Sequence, residues 1–163
     1  MVHSGRMRWE FPIDLSKAED KLCSSLGTRS KFYCFLRVIR HLVFDASFQD
    51  QLASMYQGRP SGKSPVAPAL LAMVVLLQAY TGASDAEAIV CITADRRWQL
   101  VLGCLGTDKP LLSQKTLAFF RKRLVDTEMD KQLMARTVQL TRESGLFDPK
   151  KVGKLRVAID SAP

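Results

Sequence analysis

The chain has 163 residues, 47% of them hydrophobic, so it is long enough to bury a core and too apolar to be a disordered chain. Lys and Arg number 24 against 16 Asp and Glu, and the net charge of +8 favours a polyanionic partner, with nucleic acid first and an anionic membrane surface second. The longest apolar run, residues 66–77, is too short to span a bilayer and predicts a buried helix, and the polar start predicts no signal peptide.

The positive charge is unevenly distributed along the chain. Residues 1–40 carry a net +4 and residues 41–114 a net −1, whereas residues 115–156 have eleven basic and five acidic residues, a net +6. The middle is therefore expected to form the core, and the later stretch to contact phosphates.

The cysteines and histidines do not predict a metal site. None of the cysteines forms a C-x-x-C pair, and both histidines lie far from any ligand pattern. Reduced, half-buried thiols of a cytosolic protein are expected. The cysteines are Cys23, Cys34, Cys91 and Cys104.

The first part of the chain predicts a loose lead-in over residues 1–13 and then three short helices. Asp14 or Ser16 is expected to cap a helix that ends at Gly27, and a shorter helix is expected over about residues 47–56. Between these two helices, Ser30 is expected to cap a third helix that has an apolar face. Lys31, Arg37 and Arg40 are expected to lie on other sides of that helix. The residues predicted for that face are Phe32, Phe35, Leu36, Ile39, Leu42 and Val43.

The segment GRPSGKSP at residues 58–65 predicts a loop. Three residues separate its glycines where a phosphate-binding P-loop has four, and the segment before it is helical rather than a strand, so no nucleotide site is expected.

Three further helices are predicted in the middle of the chain. Pro68 begins a strongly apolar helix over residues 69–80 that Gly82 ends. The sequence SDAE at residues 84–87 predicts a capping box and a helix over residues 85–93, and another short helix is expected over residues 96–102. The first two, joined by a tight turn, are predicted to form a helical hairpin rather than a chemical site.

Ser113 is predicted to cap a helix over residues 114–125 with two distinct faces. Leu117, Phe120 and Leu124 share one face, and the opposite side carries basic and aromatic residues. On that opposite side lie Lys115, Phe119 and Lys122, with Arg123 turned toward it.

A last helix is expected to begin at Asp126 or Thr127 and to run through Ser144, with Gly145 as its C-cap. Its expected core contacts are Leu133, Val138 and Leu140. Residues 155–159 then alternate apolar and other residues, which predicts a short strand ending at Asp160. Since a lone strand is not stable without partners, a new domain is expected to begin there.

Two stretches resemble bacterial insertion-sequence transposases of the DDE group with an InsH-type N-terminal domain. The first, residues 65–103, contains the turn GASDAE at 82–87, the element DRRW at 95–98 and a Leu-Gly end, with similar pieces at 58–60 and 113–124. The second, LRVAIDSAP at 155–163, is similar to the first strand of the family's RNase H-like domain. The order and spacing of these pieces, from about residue 35 onward, make the resemblance specific.

The resemblance implies a mainly α fold: a lead-in over residues 1–30, a helical N-terminal domain with helix-turn-helix-like elements over 31–148, and a stub of the RNase H-like domain over 149–163. It implies that Asp160 is the first catalytic acid and, in the full-length protein, a ligand of Mg²⁺. The other two acids of the set are missing from the sequence, so the chain is expected to be a fragment that is inactive and without a cofactor by itself, because one carboxylate cannot hold a metal pair. Without the resemblance, Asp160 is interpreted as a turn residue.

The expected activity is binding of double-stranded DNA at transposon ends, in a homo-oligomeric synaptic complex in the cytoplasm, associated with the nucleoid and not with a membrane. The helix over 114–125 is the first candidate interface, because a helix fits the major groove and Phe119 can stack or wedge. Its basic residues are Lys115, Lys122 and Arg123, with Arg121 near the edge. Arg96 and Arg97 are the second candidate, although Trp98 beside them favours packing.

Two other functions are compatible with this sequence. One is a stand-alone helix-turn-helix regulator with a disordered tail, which would have no use for the strand pattern before Asp160. The other is a helical oligomerisation module whose basic residues serve only solubility.

Overall fold

A computed structural model describes residues 8–56 and 66–145, and this part of the chain contains eight α-helices and a 3₁₀ turn at Thr28–Ser30. The mainly α fold class is confirmed. The predicted loop at 58–65, the strand at 155–159 and Asp160 lie outside the described residues. The helices are α1 (Lys17–Ser25), α2 (Lys31–Val43), α3 (Ala46–Ser54), α4 (Pro68–Thr81), α5 (Asp85–Ala94), α6 (Arg96–Leu102), α7 (Gln114–Asp126) and α8 (Met129–Ser144).

Side-chain caps fix the beginnings of most helices. Ser16 and Ser84 each form a capping box with the glutamate three residues later, which satisfies backbone N–H groups that have no partner inside the helix. Asp45, Asp95 and Ser113 accept a hydrogen bond from a backbone N–H in the first turn of α3, α6 and α7. Each such cap stabilises the fold by about 1 kcal/mol.

The core is built around α4, which is apolar on all sides and packs against α3, α5, α6 and α7. Its interior residues from Leu71 to Leu77 are buried apart from Val75, as expected of a helix without a polar face. The buried helix predicted from the longest apolar run is therefore confirmed.

The predicted hairpin of α4 and α5 is wrong, because the two helix axes are bent by 103° at the turn. Gly82 adopts a left-handed conformation with φ 77° and Ser84 an extended one, so the chain turns a corner instead of doubling back. An angle of this size is typical of a helix-turn-helix pair. Within the described ranges no single helix is long and apolar enough to cross a membrane; α4 and α5 pass that test only as this bent pair, by length and composition.

The two arginines predicted to lie away from the apolar face of α2 are buried, Arg37 with 0% and Arg40 with 1% of its surface exposed. Leu42, predicted to be in the core, is 47% exposed. The two arginines do lie off the apolar face, but residues 12–14 and Glu19 of α1 cover the side of α2 that carries them. Arg37 binds both carboxylate oxygens of Glu19 at 2.8 and 3.0 Å and donates to the carbonyl oxygens of Ile13 and Asp14.

Residues 8–13, which belong to the lead-in expected to be loose, are held against α2 and α3. Arg40 donates to the carbonyl oxygens of Pro12 and Val101 at 3.3 and 2.9 Å, and its guanidinium lies 4.5 Å from the centre of the Phe11 ring. The backbone of Trp9 exchanges two hydrogen bonds with the side chain of Gln49. The buried cations of α2 thus fix the N-terminal segment as part of the domain.

The boundary between α7 and α8 differs from the prediction. Asp126 is the last residue of α7, and Glu128 precedes α8 with a positive φ of 59°. The Thr127 hydroxyl donates to the carbonyl oxygens of Arg123 and Leu124, so it satisfies the end of α7 rather than the start of α8. In α8, Leu133 and Val138 are buried as predicted, and Leu140 is partly buried against the core.

Candidate nucleic-acid interface

The inner face of α7 anchors the helix to the domain. Leu117, Phe120 and Leu124 are buried, as the sequence predicts, and α7 packs against α4, α5 and α8. The Ser113 hydroxyl accepts from the backbone N–H of Thr116 and fixes the beginning of the helix. The opposite side is therefore presented to solvent by a helix that is held in place.

The outer face of α7, defined as Lys115, Phe119 and Lys122, combines two cations with an exposed aromatic ring. Phe119 is 60% exposed, and the ammonium of Lys115 lies 5.7 Å from the centre of its ring. Lys122 forms an ion pair with Asp126 at 2.9 Å, but both side chains are mostly exposed. Because such a pair stabilises a helix by only about 0.3–0.5 kcal/mol, a phosphate can displace the carboxylate.

Arg121, predicted to lie near the edge of this face, is bound inside the domain. Its guanidinium forms an ion pair with Asp85 and donates to the side-chain oxygen of Gln78 at 3.0 Å. Gln78 in turn donates to Asp85 at 2.9 Å. Three helices, α4, α5 and α7, meet in this network, so Arg121 positions α7 instead of offering its charge to a ligand.

Arg123, predicted to turn toward the outer face, is directed against the end of α3. It donates to the carbonyl oxygen of Met55 at 2.7 Å, and its guanidinium lies 4.6 Å from the centre of the Tyr56 ring. Of the four basic residues of α7, the two arginines therefore hold the helix, and the two lysines face solvent.

The helix pair with the helix-turn-helix angle does not carry the positive charge. The sequence of α5, DAEAIVCITA, contains neither Lys nor Arg, and its exposed side presents Glu87 and the 60% exposed Val90. A helix that lies in a DNA groove is surrounded by phosphates, so an uncharged or acidic helix is disfavoured there. By its charge, α7 is a better candidate than α5 for contact with a polyanion.

Arg96 and Arg97, at the start of α6, differ in their surroundings. Arg97 forms an ion pair with Asp95 at 2.8 Å, and the hydrogen bonds that it donates to the Asp95 carboxylate raise the pKa of Arg97. Burial raises the pKa of Asp95, but its hydrogen bonds with Arg97 outweigh that effect and lower it. Arg96 is exposed and forms no ion pair with another described residue. Trp98 is buried, so its packing interpretation is confirmed.

Within residues 8–56 and 66–145, no group of three or more His, Cys, Asp or Glu side chains is arranged to hold a metal ion. The four cysteines are free and half-buried, as predicted. Burial raises the pKa of Cys104 to about 11, and it raises that of Cys34, which also forms a hydrogen bond with Cys23, to about 12. These two thiols are protonated at neutral pH, so they are poor nucleophiles and poor metal ligands.

Sequence reasoning missed two residues of the α7 anchor, Gln78 and Asp85. Gln78 lies within an apolar helix, and the sequence places Asp85 in a capping box and in the turn that resembles the family, neither of which predicts a contact with α7. No local signal connects them with Arg121, which follows Asp85 by 36 residues. Their contact arises from the corner between α4 and α5, which the sequence did not predict.

A family model described as Transposase domain (DUF772) matches residues 24–123, more than half of the chain. Comparison with curated proteins and with solved structures gave no match. The matched range runs from the end of α1 into α7 and includes the α4–α5 corner, the buried arginines of α2 and both candidate basic sites. This chain therefore belongs to the transposase-domain family.

Proposed function

We propose that this domain binds double-stranded DNA at the ends of a transposable element, with the outer face of α7 against the duplex. The observation that carries this proposal is the exposed ring of Phe119 between two exposed lysines, on a helix whose other face is fixed by the core. Lys115 and Lys122 would bind phosphates, which determine affinity and register. Phe119 would contact base edges in a groove or insert between base pairs.

We further propose that the chain acts as the N-terminal part of a DDE transposase of the InsH type. The family match supports a transposase, and the finer assignment rests on the sequence similarity at residues 82–87, 95–98 and 155–163. In this proposal Asp160 is the first catalytic acid and binds Mg²⁺ together with carboxylates from other parts of a complete enzyme, because a two-metal site needs several converging acids. DNA synapsis would bring together two or more copies on the bacterial nucleoid.

A helical oligomerisation module is the second candidate, and one observation favours it. Val38 and Leu42 lie one turn apart on α2, and each is about half exposed. Paired exposed apolar residues at this spacing are typical of helix–helix contacts. If this face mediates self-association, the variant Val38→Glu/Leu42→Glu will reduce the mass measured by light scattering without changing the circular dichroism spectrum.

The DNA proposal is tested by titrating a fluorescent duplex of about three helical turns with the 163-residue protein at several salt concentrations. The variant Lys115→Ala/Lys122→Ala should lower the log–log salt slope by about 1.8, because each lost phosphate contact removes about 0.9. The matched control is Lys17→Ala/Lys21→Ala, which removes the same charge from the exposed side of α1.

Three results decide the DNA proposal. A large fall in slope for the α7 variant and a small one for the control support it. Equal falls in both variants would assign binding to net charge alone and contradict the role of α7. Absence of binding by the wild type at about 50 mM salt would overturn the proposed function as a whole.

A further inference from the structure

A second basic surface is assembled from two parts of the chain that are far apart in sequence. Nη1 of Arg97 donates to the hydroxyl of Ser30 at 3.4 Å, across a separation of 67 residues. Ser30 is flanked by Arg29 and Lys31, at the beginning of α2, and Arg97 is preceded by Arg96. We call this surface, composed of Arg29, Lys31, Arg96 and Arg97, the α2–α6 basic patch.

Three of the four cations of the α2–α6 basic patch have no partner among the described residues. Arg29, Lys31 and Arg96 are exposed, and none of them forms an ion pair or hydrogen bond through its side chain with another described residue. Asp95 neutralises one charge, but its two oxygens are bound by Nε and Nη2 of Arg97. A net charge of about +3 is therefore left on the surface, unlike the cations of α2 that are buried in the fold.

The patch rests on a rigid aromatic support. The guanidinium of Arg97 lies 4.8 Å from the centre of the Tyr33 ring, and this ring meets that of Tyr80 edge to face at 5.8 Å. Tyr80 also stacks on Phe32 with a centroid distance of 4.2 Å. Because Tyr80 belongs to the last turn of α4, the patch is fixed to the central helix of the domain.

The same last turn of α4 also holds α7. Gln78, two residues before Tyr80, accepts a hydrogen bond from Arg121 of α7 at 3.0 Å. The path from the patch to α7 thus consists of Tyr33, Tyr80, Gln78 and Arg121, each in contact with the next or in the same helical turn. Tyr80 and Gln78 are two residues apart and point to opposite sides of α4, so the patch and α7 lie on different sides of the central helix.

We propose that the α2–α6 basic patch is a second phosphate-binding surface for double-stranded DNA, separate from the outer face of α7. The proposal rests on the proposed function of α7 and adds an anchor that does not read sequence, because cations on flexible side chains bind phosphates without distinguishing bases. Double-stranded DNA is the partner that fits, since both surfaces are cationic and are linked rigidly through α4.

The test uses variants of the 163-residue protein with substitutions on the α2 side of the patch. Arg29→Ala/Lys31→Ala is compared with a control on α8, Lys131→Ala/Arg142→Ala, because each variant removes one lysine and one arginine from an exposed surface. On a duplex of about three helical turns, the patch variant should lower the salt slope by about 1.8 and weaken binding of every duplex sequence by the same factor. Arg96→Ala alone should lower the slope by about 0.9.

A variant that combines Arg29→Ala/Lys31→Ala with Lys115→Ala/Lys122→Ala tests whether the two surfaces act separately. On the duplex of about three helical turns, the effects of the two pairs on DNA affinity should add on a logarithmic scale, as independent contacts do. A combined effect no larger than that of Lys115→Ala/Lys122→Ala alone would contradict a separate surface.

The outcomes separate this inference from the proposed function. If Lys115→Ala/Lys122→Ala weakens binding and Arg29→Ala/Lys31→Ala has no larger effect than the α8 control, the patch is not a DNA surface and the role of α7 stands. If the patch variant weakens binding of single-stranded RNA but not of duplex DNA, or lowers the mass of an oligomer without changing DNA affinity, the proposed partner is wrong. If the wild type does not bind DNA, the proposed function itself fails.

Discussion

Replacing Arg37 by Met should show how strongly the buried ion pair of α2 stabilises the domain. Arg37 is fully buried, and the Glu19 side chain that it binds is only 11% exposed. Met has a similar length but donates no hydrogen bond, so the variant leaves the carboxylate without its cation. It also removes the donors that hold the carbonyl oxygens of Ile13 and Asp14.

Two estimates of the unfolding free energy lost in Arg37→Met agree. Removing one partner of a buried ion pair destabilises proteins by about 3–5 kcal/mol, because an uncompensated charge is left behind. Independently, burial raises the pKa of Glu19, but its hydrogen bonds with Arg37 and Ser16 outweigh that effect and lower the pKa from 4.5 to about 2. This lowering corresponds to roughly 3 kcal/mol of stability, of which the Ser16 contacts supply a part. Since domains are stable by about 5–15 kcal/mol, the loss is severe.

The assay is urea unfolding followed by far-UV circular dichroism at several pH values. Because the pKa of Glu19 is lower in the folded state, the pair stabilises the wild type fully above about pH 4.5, and this stabilisation is lost as the pH falls toward 2. The difference in unfolding free energy between the wild type and Arg37→Met should therefore shrink on acidification. The double variant Glu19→Gln/Arg37→Met, which buries no charge, should recover part of the loss. A loss below about 1 kcal/mol, or a difference that does not change with pH, would refute the reasoning.

Substitutions at two adjacent residues of α7 should have different effects on stability and on DNA binding. Arg121→Ala should lower the free energy of unfolding by about 1–3 kcal/mol. Lys122→Ala should change that free energy by less than about 0.5 kcal/mol and lower the DNA salt slope by about 0.9. Gly103→Ala should lower the melting temperature more than Gly82→Ala. Both positions have a positive φ, but only at Gly103 would the added Cβ come within 3.2 Å of the Arg40 guanidinium. Equal effects would show that the Arg40 guanidinium can move aside. Finally, if Asp160 has the catalytic role proposed above, the 163-residue chain should not cut duplex DNA in the presence of Mg²⁺, because one carboxylate cannot hold two metal ions. Cleavage that disappears in Asp160→Ala would contradict this.

The beginning of α5 was predictable because local interactions set it. The sequence SDAE predicted the beginning of α5 at Asp85, and the structure has the capping box that the pattern implies. The buried face of α7 also followed from spacing alone, since Leu117, Phe120 and Leu124 recur with the helical period.

The roles of the arginines were not predictable, because their partners lie far away in the sequence. A helical wheel shows which residues share a face but not which segment covers that face, so it gave no sign that residues 9–14 would bury Arg37 and Arg40. In α7 the wheel ranked Arg123 with the lysines, although the end of α3 binds it. The grouping of Arg29 and Lys31 with Arg96 likewise depends on how α2 packs against α6.

The hydrogen bond between Arg40 and the carbonyl oxygen of Val101 also constrains when the domain can fold during its synthesis. Val101, the acceptor, follows Arg40, the donor, by 61 residues. Val101 belongs to α6, which packs extensively against α2, so the ribosome makes both the acceptor and this packing partner long after α2. At about 5–20 residues per second, a ribosome needs roughly 3–12 seconds to cover this separation. Throughout that time the nascent α2 lacks its main packing partner, and a chain on a ribosome stalled before residue 96 exposes apolar surface to chaperones and proteases.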